Sequence, residues 1–145
     1  MWSAIATFLL GVVVSILFAV VGWIAINFFG KPLLDFLNLK SQVHEEIIFT
    51  GNIDPMVAHT ADYDKAVESL RRLGARVQAM NAHVSVSSLP FVFLPLRWFL
   101  SMQRYDLARA GRGLIGLSNS LAQTDGSRGV HRNSIQVALK LPPAD

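Results

Sequence analysis

Ala4 to Phe29 is a run of 26 uncharged residues in which Thr7, Ser15 and Asn27 alone interrupt an almost wholly apolar series, and every lysine and arginine of the chain comes after it. A bilayer core of about 30 Å is crossed by roughly 20 helical residues at 1.5 Å rise, so the run predicts one transmembrane anchor within residues 1–30. Trp2 and Trp23 bracket it. At the helical rise they stand about 31 Å apart, which places one indole at each interface, where amphipathic rings prefer to sit.

Charge sets the expected orientation. No Lys or Arg precedes the run, whereas Lys31 and Lys40 come closely after it and the remainder of the 13 basic residues lie beyond. The positive-inside tendency therefore predicts an outward N-terminus and a cytoplasmic C-terminal part. A cleaved signal peptide fits less well. The segment lacks a basic n-region, exceeds the usual apolar h-region, and ends in Asn27-Phe28-Phe29-Gly30-Lys31 with no A-x-A pattern. The absence of cysteine agrees with a reducing compartment.

Residues 31–145, beyond the anchor, have the size of one small module, and their periodicity predicts a mainly α fold. Pro32 is expected to kink or restart the helix leaving the membrane, because proline lacks an N–H and clashes with the preceding turn. Leu33, Phe36, Leu37, Val43 and Ile47 recur at helical spacing up to a turn signal at Thr50-Gly51-Asn52-Ile53-Asp54-Pro55. A second helix is predicted over Ala61–His83 on the stripe Ala66, Val67, Leu70, Leu73, Val77 and Met80, with Asp62 and Asp64 as helix starters. A third is predicted over Asp106–Ala122 on Leu107, Ala110, Leu114, Leu117 and Leu121, closed by a turn at 124–127. In the tail, Ile135, Val137, Leu139 and Leu141 alternate with period two, which favours a short strand pairing with Val84 and Val86, with helix the alternative.

Leu89–Met102 is apolar but too short to span, and it carries two prolines and Arg97. With Trp98, Arg104 and Tyr105 beside it, an interfacial or re-entrant element is expected, ahead of a core helix. Residues 85–145 hold seven basic and three acidic residues, a net of +4, whereas residues 1–84 come to −1. For a module tethered at a bilayer, the partner expected from that balance is an anionic inner leaflet. Nucleic acid is not expected, since the basic residues are not interleaved with stacking aromatics in a known binding pattern.

Several motifs carry chemical suggestions. Gly111-Arg112-Gly113-Leu114-Ile115-Gly116 has the letters of a dinucleotide fingerprint, but a helical pattern precedes it where a strand is needed and Gln136 stands where an acid is wanted. Close helix packing through Gly113, Gly116 and Ser120 is the expected role, with Arg109 and Arg112 at the edge as an anion contact. Arg76 and His83 have a spacing shared with some ribonucleases of the HEPN class. His44, Glu45, Glu46, His59 and Asp62 match no metal-ligand spacing. No phosphate loop or serine elbow is present, so no catalytic residue, metal or cofactor is expected.

The anchor carries the sharpest functional pattern. Ser3, Thr7, Gly11, Ser15 and Ala19 recur every fourth residue and align small side chains on one stripe, the arrangement that lets a second transmembrane backbone come close. The segments Tyr105-Asp106-Leu107 and Gly113-Leu114-Ile115-Gly116-Leu117-Ser118-Asn119, with the order of anchor, Lys31-Pro32, Val43-His44-Glu45-Glu46 and amphipathic helix, resemble a group of small bacterial single-pass membrane-anchored proteins. The resemblance implies the architecture and a bacterial inner-membrane location, and no activity. The expected function is that of a structural or accessory subunit whose anchor packs against a copy of itself or a partner helix. A ligand-triggered effector that breaches the membrane is the alternative, and a ribonuclease using Arg76 and His83 is a third.

Overall fold

The apolar run and the segment after it form one unbroken rod. Helix α1 (Trp2–Ile24) passes through a π-helical turn (Ala25–Gly30) directly into α2 (Lys31–Gly51) in this computed structural model, which describes residues 2–53, 60–86, 90–123 and 126–143. This helix is long and apolar enough to cross a membrane, and none of its apolar window is buried against the rest of the chain. The side chains of Trp2, Ser3 and Thr7 lie outside the described residues, as do Asp54, Pro55, His59, Leu89, Thr124 and Asp125.

Pro32 does not end the helix. The Lys31 N–H donates to the Ile26 carbonyl, five residues back, so the ladder is shifted by one residue just before the proline that can donate nothing. A wide turn at this point absorbs the defect while the chain stays helical. Asn27 Nδ2 donates to the Trp23 carbonyl at 2.8 Å and Lys31 Nζ to Asn27 Oδ1 at 2.7 Å, supplying polar partners where the register changes.

The core is built from stripes spaced alternately three and four residues apart, which is how a helix keeps one face inward. Phe36, Leu39, Val43 and Ile47 of α2 meet Ala66, Leu70, Leu73 and Val77 of α3 (Ala61–Val86). Leu37, expected inside, is exposed, and Leu39 takes the inward place. Thr60, rather than Asp62 or Asp64, opens α3: the Tyr63 N–H donates to its Oγ1 and the Asp64 N–H to its carbonyl.

Helix α4 (Pro90–Met102) buries Leu96 and Leu100. Leu96 shares a groove with Asn27 and Phe28, while Phe99 packs edge-on against Phe36, so α4 runs beside the rod in the same direction. Its N-terminal end therefore lies against the π-helical turn, at the end of the apolar run.

Helix α5 (Leu107–Ser120) is capped by Asp106, whose Oδ1 accepts from the Arg109 N–H at 2.8 Å. It packs against α3 on one face and α6 (Ser127–Leu139) on another. The glycines of the fingerprint-like segment make this possible. A Cβ on Gly111 would lie 2.7 Å from Gln78 Cγ, and one on Gly116 would lie 2.5 Å from the His131 ring.

The expected pairing of 84–86 with 135–141 is not formed. Val84 and Val86 belong to the last turn of α3, and 135–139 complete α6. Ile135, Ala138 and Leu139 turn inward at helical spacing while Val137 faces out, so the period-two pattern is coincidental with a 3.6-residue one.

Candidate functional site

The largest concavity lies where the apolar run gives way to the helical module. It is a groove of about 740 Å³ between α2 and α3, closed at one end by Phe28 and Leu96. From α2 it receives Lys31, Asp35, Asn38 and Gln42, a polar stripe one turn apart at each step, and from α3 it receives Arg76, Ala79, Met80 and His83. Leu39 also lines it.

Two contacts fix the register of its walls. Ser69 donates to Glu46 at 2.8 Å and Arg76 Nη1 to Gln42 Oε1 at 2.7 Å, so α3 descends as α2 rises. His83 is seven residues beyond Arg76 and Asp35 seven before Gln42, which puts the two at one level, about 10 Å nearer the apolar run. The electrostatics are set by the partners. Lys31 and Arg76 are hydrogen-bonded to neutral amide oxygens, and the ion pairs among the described residues lie elsewhere, at Lys65–Asp62 and Arg72–Glu68.

Arg76 and His83 thus share one groove, yet they stand about two helical turns apart, and Arg76 is drawn toward Gln42. General acid–base work on one phosphate needs both groups within hydrogen-bond reach of it. Within one chain that convergence is lacking. Among the described residues no group of three His, Asp or Glu side chains gathers at metal-binding distance.

The other sequence-predicted residues are spread over the surface. Arg109 Nε donates to Ser134 Oγ at 3.0 Å, tying α5 to α6, and Arg112 is exposed. Arg97, Trp98 and Arg104 are exposed around α4. Tyr105 is not in their company: its ring packs 5.1 Å from Phe36 and its hydroxyl accepts from Lys40 Nζ at 3.1 Å. On α1, Gly11 and Ser15 form a shallow hollow with Phe8, Val12 and Ile16. The Ser15 hydroxyl is used within its own helix, donating to the Gly11 carbonyl at 2.8 Å, so the hollow offers shape more than polarity.

No family model, curated protein or solved structure matches this chain.

Sequence reasoning did not find Arg128. Its guanidinium donates to the Thr50 carbonyl at 2.8 Å and to that of Ile53 at 3.2 Å, closing the end of α2 from the start of α6. No local pattern signals a contact 78 residues long in sequence.

Proposed function

We propose that the chain is a single-pass membrane subunit without chemistry of its own, which orders neighbours in a bacterial inner-membrane assembly through lateral packing of its anchor. The observation that carries this reading is that α1 has no covering within its own chain: its large apolar side chains are exposed along the helix. Lipid or another helix must cover them. In lipid, association depends on close van der Waals fit, and the hollow at Gly11 and Ser15, in register with Ser3, Thr7 and Ala19, favours a second helix there.

The N-terminus faces outward and the module lies in the cytoplasm, by the distribution of Lys and Arg. Arg97, Trp98 and Arg104 rest on the anionic inner leaflet. The alignment of α4 with the rod supports this, since it brings those side chains close to the end of the apolar run. The rigid continuation of α1 into α2 would transmit a packing geometry from the bilayer to the module.

The test is crosslinking between anchors in native membranes. Gly11→Leu with Ser15→Leu should abolish it, and unchanged crosslinking would refute the packing face. A membrane-breaching effector is separated by dye retention: liposomes carrying the subunit stay sealed, and leakage would favour the effector.

A further inference from the structure

We propose that the groove between α2 and α3 holds the headgroup of one anionic phospholipid, with its phosphodiester at Lys31 and its acyl chains leaving past Phe28 and Leu96. The inference rests on the membrane-spanning reading above and adds a specific lipid site to it.

The groove lies at the right depth. The headgroup layer extends about 5 to 7 Å beyond the hydrocarbon on each side, and Lys31 lies four residues, about 6 Å, past Asn27 along the same rod. Its ammonium therefore sits at phosphate depth while Phe28 faces the acyl boundary. The groove opens between these levels.

Its charge is complementary. Lys31 and Arg76 bring two positive charges and Asp35 one negative, leaving one positive charge with His83 neutral. A phosphodiester carries one negative charge. Both cations are hydrogen-bonded to neutral amides and not to carboxylates, so an incoming phosphate need not break an ion pair to reach them. Asp35 and Asn38 stand deeper in the groove and can accept from the hydroxyls of a polyol headgroup.

Size and polarity agree. About 740 Å³ lies within the range of roughly 300–1,000 Å³ usual for small-molecule sites. The apolar lining is at the membrane end and the charged lining away from it, which matches an amphiphile and not a free polar anion.

The experiment uses the full chain in neutral detergent, titrated with phosphatidylglycerol or phosphatidylcholine and read by native mass spectrometry. One phosphatidylglycerol per chain should be retained, with a preference of about tenfold or more over phosphatidylcholine, the scale of one charge-assisted hydrogen bond. Lys31→Gln with Arg76→Gln should remove the preference. Ala79→Trp, which fills the groove without altering charge, should remove the stoichiometric lipid. Equal retention of both lipids, or retention unaffected by Ala79→Trp, would overturn the site. Competition by glycerol phosphate as effective as that by phosphatidylglycerol would make the ligand a soluble phosphate and overturn the lipid assignment. Failure of the membrane reading shows separately, as a wild-type chain that does not sediment with membranes.

Discussion

Gly74 on α3 faces the backbone of Gly111 on α5 so closely that a Cβ at Gly74 would lie 3.3 Å from the Gly111 carbonyl oxygen and 3.0 Å from Ile115 Cγ1. Neither atom has freedom to retreat, since one is helix backbone and the other is packed beside it. A Gly74→Val change is expected to destabilise the module by on the order of 2–3 kcal/mol, the usual range for overpacking a tight crossing. Gly111→Ala should be milder. Its nearest neighbour is the exposed Gln78 side chain, which can swing aside, and alanine recovers about 1 kcal/mol of helix propensity. Thermal unfolding followed by circular dichroism in detergent ranks the two; equal losses would mean the helices can slide apart.

Arg128 acts as a clamp between the ends of α6 and α2. It is part-buried and donates to the carbonyls of Thr50 and Ile53, which no helical N–H can satisfy. Arg128→Ala is expected to cost about 1.5–3 kcal/mol, the range for hydrogen bonds to a charged group. Arg128→Lys should recover little, because an ammonium cannot reproduce the planar fork that reaches two oxygens. Hydrogen exchange of the α2 end should accelerate in both variants, and protection equal to wild type would remove the clamp.

The sequence discloses helices better than their meetings. On α5, Leu107, Ala110, Leu114, Leu117 and Leu121 are readable as one inward stripe and all five are buried, because heptad-like spacing is a property of the local chain. The tail is ambiguous for a physical reason: Ile135, Val137 and Leu139 alternate as a strand does, and only the packing of Ile135 and Ala138 decides for helix. The groove is half legible. Arg76 and His83 stand out by spacing, and Lys31, Asp35, Asn38 and Gln42 form a polar stripe on α2. That the two stripes face each other depends on the antiparallel register of α2 and α3, which no local pattern encodes. Tyr105 misleads by type, since an aromatic beside arginines suggests an interface, whereas here its ring closes a cluster with Phe36 and Phe99.

That cluster allows a graded test. Tyr105→Phe keeps the edge-on contact with Phe36 and loses the hydroxyl that accepts from Lys40, so a loss of about 0.5–1.5 kcal/mol is expected. Tyr105→Ala removes the ring as well and should cost about 3 kcal/mol, at the low end for a large aromatic because the side chain is only half-buried. Chemical denaturation of the two variants measures the difference. Equal losses would show that the Lys40 contact, not the ring, holds the α4–α5 junction to α2.

The π-helical turn fixes how the anchor's packing face is rotated relative to the core stripe of α2. A ring closed five residues back contains one residue more than an α-helical ring, so the turn at Ala25–Gly30 stores an extra residue ahead of Pro32. Deleting Ala25 should let the ladder close at four residues and leave the module folded, with little change in its thermal midpoint. Deleting Leu37, which lies in regular α-helix, should rotate every later α2 side chain by about 100° and take Leu39, Val43 and Ile47 out of the core. The second deletion is expected to abolish cooperative unfolding. If the two deletions are equally damaging, the turn is not a spare residue but a required element of the packing at Phe28 and Leu96.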